Sequence, residues 1–157
     1  MITAAARIEF ETMLLTRHLA RPRRGEGDLE SSAYLLLSRI SMQGPMSVGE
    51  LSEAFLLDTS TVSRQTTAMV NSGLVQRIPD PQGGMARKLL ITDEGRRRLD
   101  KERAGMIAGL DMVLDEWSED DRAAFASLLE RFNIDIERRT GNPWPRPVDA
   151  ATSSDAP

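Results

Sequence analysis

The residues able to do chemistry are few, and their types set narrow limits. The chain has no cysteine and a single histidine, His18, which excludes disulfides, thiolate metal sites and a multi-histidine metal cage within one chain. No metal or other cofactor is expected. Carboxylates occur as adjacent pairs, Asp115 with Glu116 and Asp120 with Asp121, and two carboxylates are the minimum for glycosidase-type acid and base chemistry. Both pairs flank a helix junction, where first-turn acids meet the positive end of the helix dipole. No nucleophile, base or phosphate-cradling glycine loop accompanies them, so no enzyme is expected. What remains is a set of hydroxyls and cations. Between Thr59 and Ser72 stand Thr59, Ser60, Thr61, Ser63, Arg64 and Thr67 without one acidic residue. Short hydrogen-bonding side chains around a cation suit a surface laid against phosphates and base edges. The alternative reading of the same residues is a solvated helix face.

The charge distribution points the same way. The chain of 157 residues carries 20 basic and 24 acidic side chains, a net −4. Residues 59–98 nevertheless hold seven basic and three acidic residues, against net charges of −2 before them and −6 after. A basic segment in an otherwise acidic chain offers phosphates one favourable face and repels them elsewhere.

These residues must be held by regular elements. Residues 1–20 place Ala6, Phe10, Met13 or Leu14, and Leu19 at helical spacing, which predicts a first helix. Arg21–Gly27 reads as a loop, and Leu29–Met42 as a second helix stopped by Gly44-Pro45. Ser47-Val48-Gly49-Glu50 is a capping box that opens a short third helix ending near Phe55–Leu57. Asp58 is placed to cap a fourth helix running to Gly73. On that helix Val62, Thr66 and Met69 share one face, while Ser60, Thr61, Arg64, Thr67, Ala68 and Asn71 share the other. Leu74–Ile78 and Arg87–Ile91 flank the turn-rich Pro79–Gly84 and predict a hairpin. Thr92 caps a long helix to about Glu116, and Ser118 opens a last one carrying Phe125, Leu128, Leu129, Phe132 and Ile136, which stops near Thr140-Gly141. Asn142–Pro157, with four of the eight prolines, is expected to be a flexible tail, from which Trp144 could dock on a partner or fold back into the body.

The order predicts a mainly α fold with a small β-hairpin wing, a winged helix-turn-helix at 29–98 within one domain spanning 1–141. In such modules the second helix of the pair enters the major groove and the wing reaches neighbouring backbone or minor groove. The apolar stripes of the outer helices, 1–20 and 99–140, exceed what so small a unit covers, and they predict a homodimer interface. Apolar runs are too short to span a bilayer, and the N-terminus lacks a basic region followed by an apolar core. A cytoplasmic protein without membrane contact is expected.

Several runs together carry a resemblance. Ser47–Phe55, Leu57–Arg64, Ser72–Val75, Pro79–Pro81 and Leu90–Gly95, in this order and spacing, resemble the MarR family of bacterial transcriptional regulators. The resemblance implies a dimeric repressor, or occasionally an activator, on a pseudo-palindromic operator in double-stranded DNA. It also implies release by a small, often aromatic or phenolic, effector lodged between the dimerisation and DNA-binding parts. The chain departs from the pattern at Gly83 and Gly84, where the family usually has an Asp and a groove-entering Arg, and at Thr59 and Ala68, where it often has Arg. Expected DNA contacts are Ser47, Thr59, Ser60, Thr61, Ser63, Arg64 and Thr67, with Arg87 and Lys88 on the wing, and fewer cations than usual. The run Arg96-Arg97-Arg98 either meets phosphates beside the wing or faces solvent. Arg17, His18, Tyr34, Arg39 and Met42 lie where a cation beside apolar walls would suit an anionic aromatic effector. A winged-helix interaction module that has lost DNA binding is the alternative function.

Overall fold

The structure, a computed structural model, describes residues 1–19 and 29–147. The loop expected over Arg21–Gly27 and the tail from Val148 onward lie outside the described residues. Among the described residues six helices and three strands follow in the order α1 (Ala4–Leu19), α2 (Ser31–Gln43), β1 (Met46–Ser47), α3 (Val48–Phe55), α4 (Thr59–Asn71), β2 (Val75–Ile78), β3 (Lys88–Ile91), α5 (Asp93–Val113) and α6 (Glu119–Thr140). No described helix is long and apolar enough to cross a membrane.

Local chemistry explains most boundaries. At the start of α3 the Ser47 hydroxyl accepts from the Glu50 amide at 3.1 Å, while the Glu50 carboxylate accepts from the Ser47 amide at 2.7 Å, a complete capping box. Helix α4 ends in Ser72 followed by Gly73 at φ +72°, a left-handed position that costs glycine little. Thr92 caps α5 by accepting from the Gly95 amide, and Ser118 caps α6 through the Asp121 amide. Asp58 departs from expectation: it occupies the N-cap position of α4 with an extended backbone, but its side chain makes no capping hydrogen bond.

The two predicted strands form the antiparallel β2–β3 hairpin, with Val75 opposite Ile91 and Ile78 opposite Lys88. A third strand joins them. β1 pairs with β3, Met46 opposite Leu89 and Ser47 opposite Lys88, for a sheet order β1-β3-β2. Two residues carry no periodicity, so this strand is invisible until β3 lies alongside.

Among the described residues every buried hydrophobic side chain lies between Leu36 and Leu99. The core packs Leu36, Leu37 and Ile40 of α2 and Leu51 of α3 against Val62 and Met69 of α4, with Leu89 of β3 and Leu99 of α5 closing it. Neither α1 nor α6 contributes to it. The winged helix-turn-helix is thus a closed core of its own, and α5 leaves it as a stem.

The joint between stem and head is tight. The Thr92 hydroxyl donates to the Gly73 carbonyl at 2.6 Å, and the Thr92 amide donates to the Leu74 carbonyl at 3.1 Å. One turn on, Gly95 lies so close to the Leu74 carbonyl that a Cβ there would overlap it. Only glycine permits this approach of α5 to the start of the wing.

Candidate nucleic-acid interface

Helix α4 turns Val62, Thr66 and Met69 into the core, so its other face must look outward. Thr59, Ser60, Ser63, Arg64, Thr67, Ala68 and Asn71 are exposed and Thr61 is half-buried. The helix therefore presents hydroxyls around the single cation Arg64 with no carboxylate from Thr59 to Asn71. Such a face matches the donor and acceptor edges of a major groove. Ser47 stands at the head of the preceding helix with its oxygen committed to the Glu50 amide.

A further cation joins this face. Arg77 on β2 is exposed, and its guanidinium donates to the Thr67 hydroxyl at 3.2 Å. Sequence reasoning left Arg77 out of the contact set, although it contributes to the basic surplus of residues 59–98. The missing information was tertiary: only the packing of β2 beside α4 brings a strand arginine to that helix. Thr67 thereby becomes a hydrogen-bonded anchor for that arginine as well as an exposed hydroxyl.

The two expected wing cations part company. Arg87 is exposed just ahead of β3. Lys88 is not displayed: its side chain is 14% exposed, and its ammonium lies 2.8 and 3.0 Å from the two Glu50 oxygens. The β1–β3 register puts Lys88 directly across from Ser47, hence beside the capping box. Hydrogen bonding to Glu50 raises the Lys88 pKa against the opposing effect of burial. Burial pushes the Glu50 carboxyl up, but hydrogen bonds from Lys88 and Ser47 outweigh it and leave the pKa below its ordinary value. Lys88 thus pins the wing to the helix-turn-helix, and of these two cations Arg87 is the one left on the surface. The turn between them and β2 carries Gly83 at φ +83°.

The triple-arginine run divides likewise. Arg96 donates to the Ser41 hydroxyl at 3.4 Å, Arg97 pairs with Glu94, and Arg98 lines a cleft of about 180 Å³ with Leu29, Ala33, Gln65, Met69 and Leu74.

The residues expected around an effector are not brought together. Arg17 and His18 are exposed in the last turn of α1, Tyr34 packs half-buried against the core, and Met42 is exposed at the end of α2. Arg39 is 8% exposed. It donates to Gln43 at 2.9 Å and lies over the Trp144 ring, 4.6 Å from its centre. Burial lowers the Arg39 pKa, and Glu137 nearby counteracts it. Its cleft, about 370 Å³ and shared with Gln43, Glu50, Ala54 and Asn142, faces the end of α6. The two clefts contain none of Arg17, His18, Tyr34 and Met42. Of the proline-rich segment after α6, the described part folds back: Asn142, Pro143 and Arg146 are hydrogen-bonded to α3, α2 and α6.

Of the acidic pairs, the Asp121 carboxylate takes part in a helix cap and Asp115 contributes its backbone carbonyl. Asp121 closes the Ser118 cap, accepting from its hydroxyl at 2.7 Å, and Arg122 donates to the Asp115 carbonyl at 3.2 Å. Both contacts shape the turn between α5 and α6.

Comparison with known proteins agrees with this geometry. The family model described as MarR matches residues 29–83. YxaD of Bacillus subtilis (strain 168), an uncharacterized HTH-type transcriptional regulator, is 36% identical over 129 residues, covering 80% of this chain and 90% of its own. A MarR family protein from Bacillus stearothermophilus shares the fold with a TM-score of 0.66 at 23% identity, over 83% of this chain and 96% of that one. The PcaV transcriptional regulator from Streptomyces coelicolor, solved with its natural ligand, does so with a TM-score of 0.55 at 23% identity, over 85% of this chain and 91% of that one. A closed winged helix-turn-helix core, a family model matching its residues 29–83 and a relative of this identity and coverage leave one conclusion: the chain belongs to the MarR family and is a DNA-binding transcriptional regulator.

Proposed function

We propose that the protein works as a homodimeric repressor on a pseudo-palindromic operator and that a small aromatic or phenolic ligand releases it. The observation that carries the dimer is the unpartnered apolar surface outside the head. Helix α6 buries none of its residues, and Phe125, Leu128, Leu129, Phe132 and Ile136 are 41–55% exposed. Ile8, Phe10, Met13 and Leu15 of α1 and Ile107, Leu110 and Met112 of α5 are exposed too. Apolar stripes of this extent mark an association surface, and a two-fold axis presents two recognition helices to two half-sites. In this reading Ser60, Thr61, Ser63, Arg64 and Thr67 face the major groove, with Arg77 and Arg87 on flanking phosphates.

The ligand part is supported by the fold neighbour PcaV, whose structure holds its natural ligand. A ligand that binds a dimer with the wrong separation between recognition helices depletes the DNA-competent state in proportion to its differential affinity. Ligand release of this kind needs no catalysis. Cytoplasmic residence follows from work on DNA.

The test is a fluorescence-anisotropy titration of the protein into duplex from upstream of its own gene at two salt concentrations, with an unrelated duplex as control and light scattering in parallel. Salt-sensitive preference for the upstream duplex at two protomers per site is expected, with phenolic acids lowering affinity. A monomer in solution overturns the dimer, and indifference of both duplexes to protein favours an interaction module instead.

A further inference from the structure

We propose that residues 142–147 form a strap that sets the bearing of the DNA-reading head on α6, with Trp144 as its positioning residue. The inference rests on the DNA-reading head above and on α6 being part of the dimer.

The need for such a device follows from the packing. Because α6 buries none of its own residues within the protomer, the core of the head does not fix the angle of α6 to the winged helix. The segment after it makes the connection. Gly141, at φ +66°, ends α6 in the left-handed conformation and turns the chain back. Asn142 then donates its side-chain amide to the Ala54 carbonyl at 2.7 Å, one of the last-turn carbonyls of α3 that has no partner within its helix.

Trp144 comes next, and it is gripped from two sides. Phe55, the last residue of α3, meets it edge-on at 5.1 Å and 87°, while the Arg39 guanidinium of α2 lies over its ring at 4.6 Å. Edge-to-face aromatic pairs and cations over an indole face are both attractive and directional. Arg39 also donates to the Pro143 carbonyl at 3.5 Å, and its hydrogen bond to Gln43 keeps the guanidinium aimed.

The far end of the strap returns to α6. Arg146 donates to both Glu137 oxygens at 2.8 and 2.9 Å, and the Trp144 amide donates to Glu137 at 3.1 Å. A bidentate guanidinium–carboxylate pair constrains angle as well as distance. Glu137 on α6, Ala54 and Phe55 on α3, and Arg39 on α2 are thus joined through six residues. The first helix of the reading pair is tied to the outer helix, so a change in the angle of α6 is carried to the head instead of being absorbed by a loose linker.

The absence of native cysteine permits a direct test. Spin labels at Gln76→Cys on the wing and Arg131→Cys on α6, both exposed positions, report the head-to-α6 distance within one chain when labelled protein is diluted with unlabelled. A narrow distance distribution is expected, broadened by Trp144→Ala, narrowed again by Trp144→Phe, and broadened from the other end by Arg146→Ala. Circular dichroism and light scattering verify that the variants keep their fold and oligomeric state. Unlabelled Trp144→Ala should bind a duplex selected from a random library by the wild-type protein about tenfold more weakly. Its affinity for random-sequence duplex should be unchanged, because phosphate contacts survive. A Trp144→Ala distribution as narrow as wild type overturns the strap. If no duplex is selected, the operator reading fails while the distances still decide the strap, and a monomer likewise removes the dimer without removing this measurement.

Discussion

Gly95→Ala is the sharpest test of how α5 is joined to the head. The added methyl would overlap the Leu74 carbonyl oxygen and lie 2.9 Å from its carbon and 3.0 Å from Ile91 Cγ1. Two of these atoms are backbone in a short-range turn and cannot swing aside, so α5 must retreat. Retreat strains the Thr92 contacts with Gly73 and Leu74. Overpacking costs about 1–3 kcal/mol, and weakening two hydrogen bonds adds about 1 kcal/mol each. Alanine's better helix propensity returns about 1 kcal/mol. The net loss is about 2–4 kcal/mol, or a Tm lower by roughly 5–15 °C for a domain of this size. Gly105, in the same helix, is the control: a methyl added there would meet nothing within 4 Å, and Gly105→Ala should stabilise by about 0.5–1 kcal/mol. Thermal and urea melts at one protomer concentration check both, since dimerisation makes Tm concentration-dependent. A Gly95→Ala protein as stable as wild type would refute the close-approach argument.

Four other outcomes are expected. Arg64→Ala should weaken specific DNA binding by about 1–3 kcal/mol without changing the oligomeric state, as read by anisotropy and light scattering; equal affinity removes Arg64 from the reading role. Arg77→Ala should weaken all duplexes alike and reduce the log–log salt slope by about 1, and a sequence-selective loss would contradict a phosphate contact. The wild-type slope itself should be shallower than about −8, since roughly −0.9 per neutralised phosphate would otherwise imply about nine contacts, more than this sparse set of exposed cations provides. Acid should free the strap: hydrogen bonds from Arg146 and the Trp144 amide hold the Glu137 pKa at about 2, against an ordinary 4.5. A depressed carboxylate stabilises fully above its unfolded value, and that contribution fades as pH falls from 4.5 towards 2. In a Trp117→Phe background, Trp144 emission should shift to the red across this window, and Glu137→Gln should give the shifted spectrum already at pH 7; identical pH profiles for the two proteins would disprove the link.

The helices and the outward hydroxyl-rich face of α4 were legible in the chain because their determinants are local. Capping chemistry at Ser47, Thr92 and Ser118, the left-handed glycines 73 and 141, and the threefold and fourfold spacing of Val62, Thr66 and Met69 each act within one or two helical turns. The outward hydroxyls around Arg64 follow from that spacing alone. Contacts between residues distant in sequence were decided only by the fold. Strand β1 exists because β3 lies beside Met46 and Ser47, and that register delivers Lys88 to Glu50, turning an expected DNA contact into a pin. Arg77 reaches Thr67 across ten positions, and Trp144 reaches Arg39 and Phe55 across about ninety or more. Composition made residues 142–147 look like loose chain, since prolines and polar residues cannot build a core by themselves. They are ordered by surfaces made elsewhere: an aromatic edge, a guanidinium held by Gln43 and a carboxylate on α6. Periodicity reports which face of an element is buried, and only the packed tertiary structure determines which neighbour that face or a passing side chain meets.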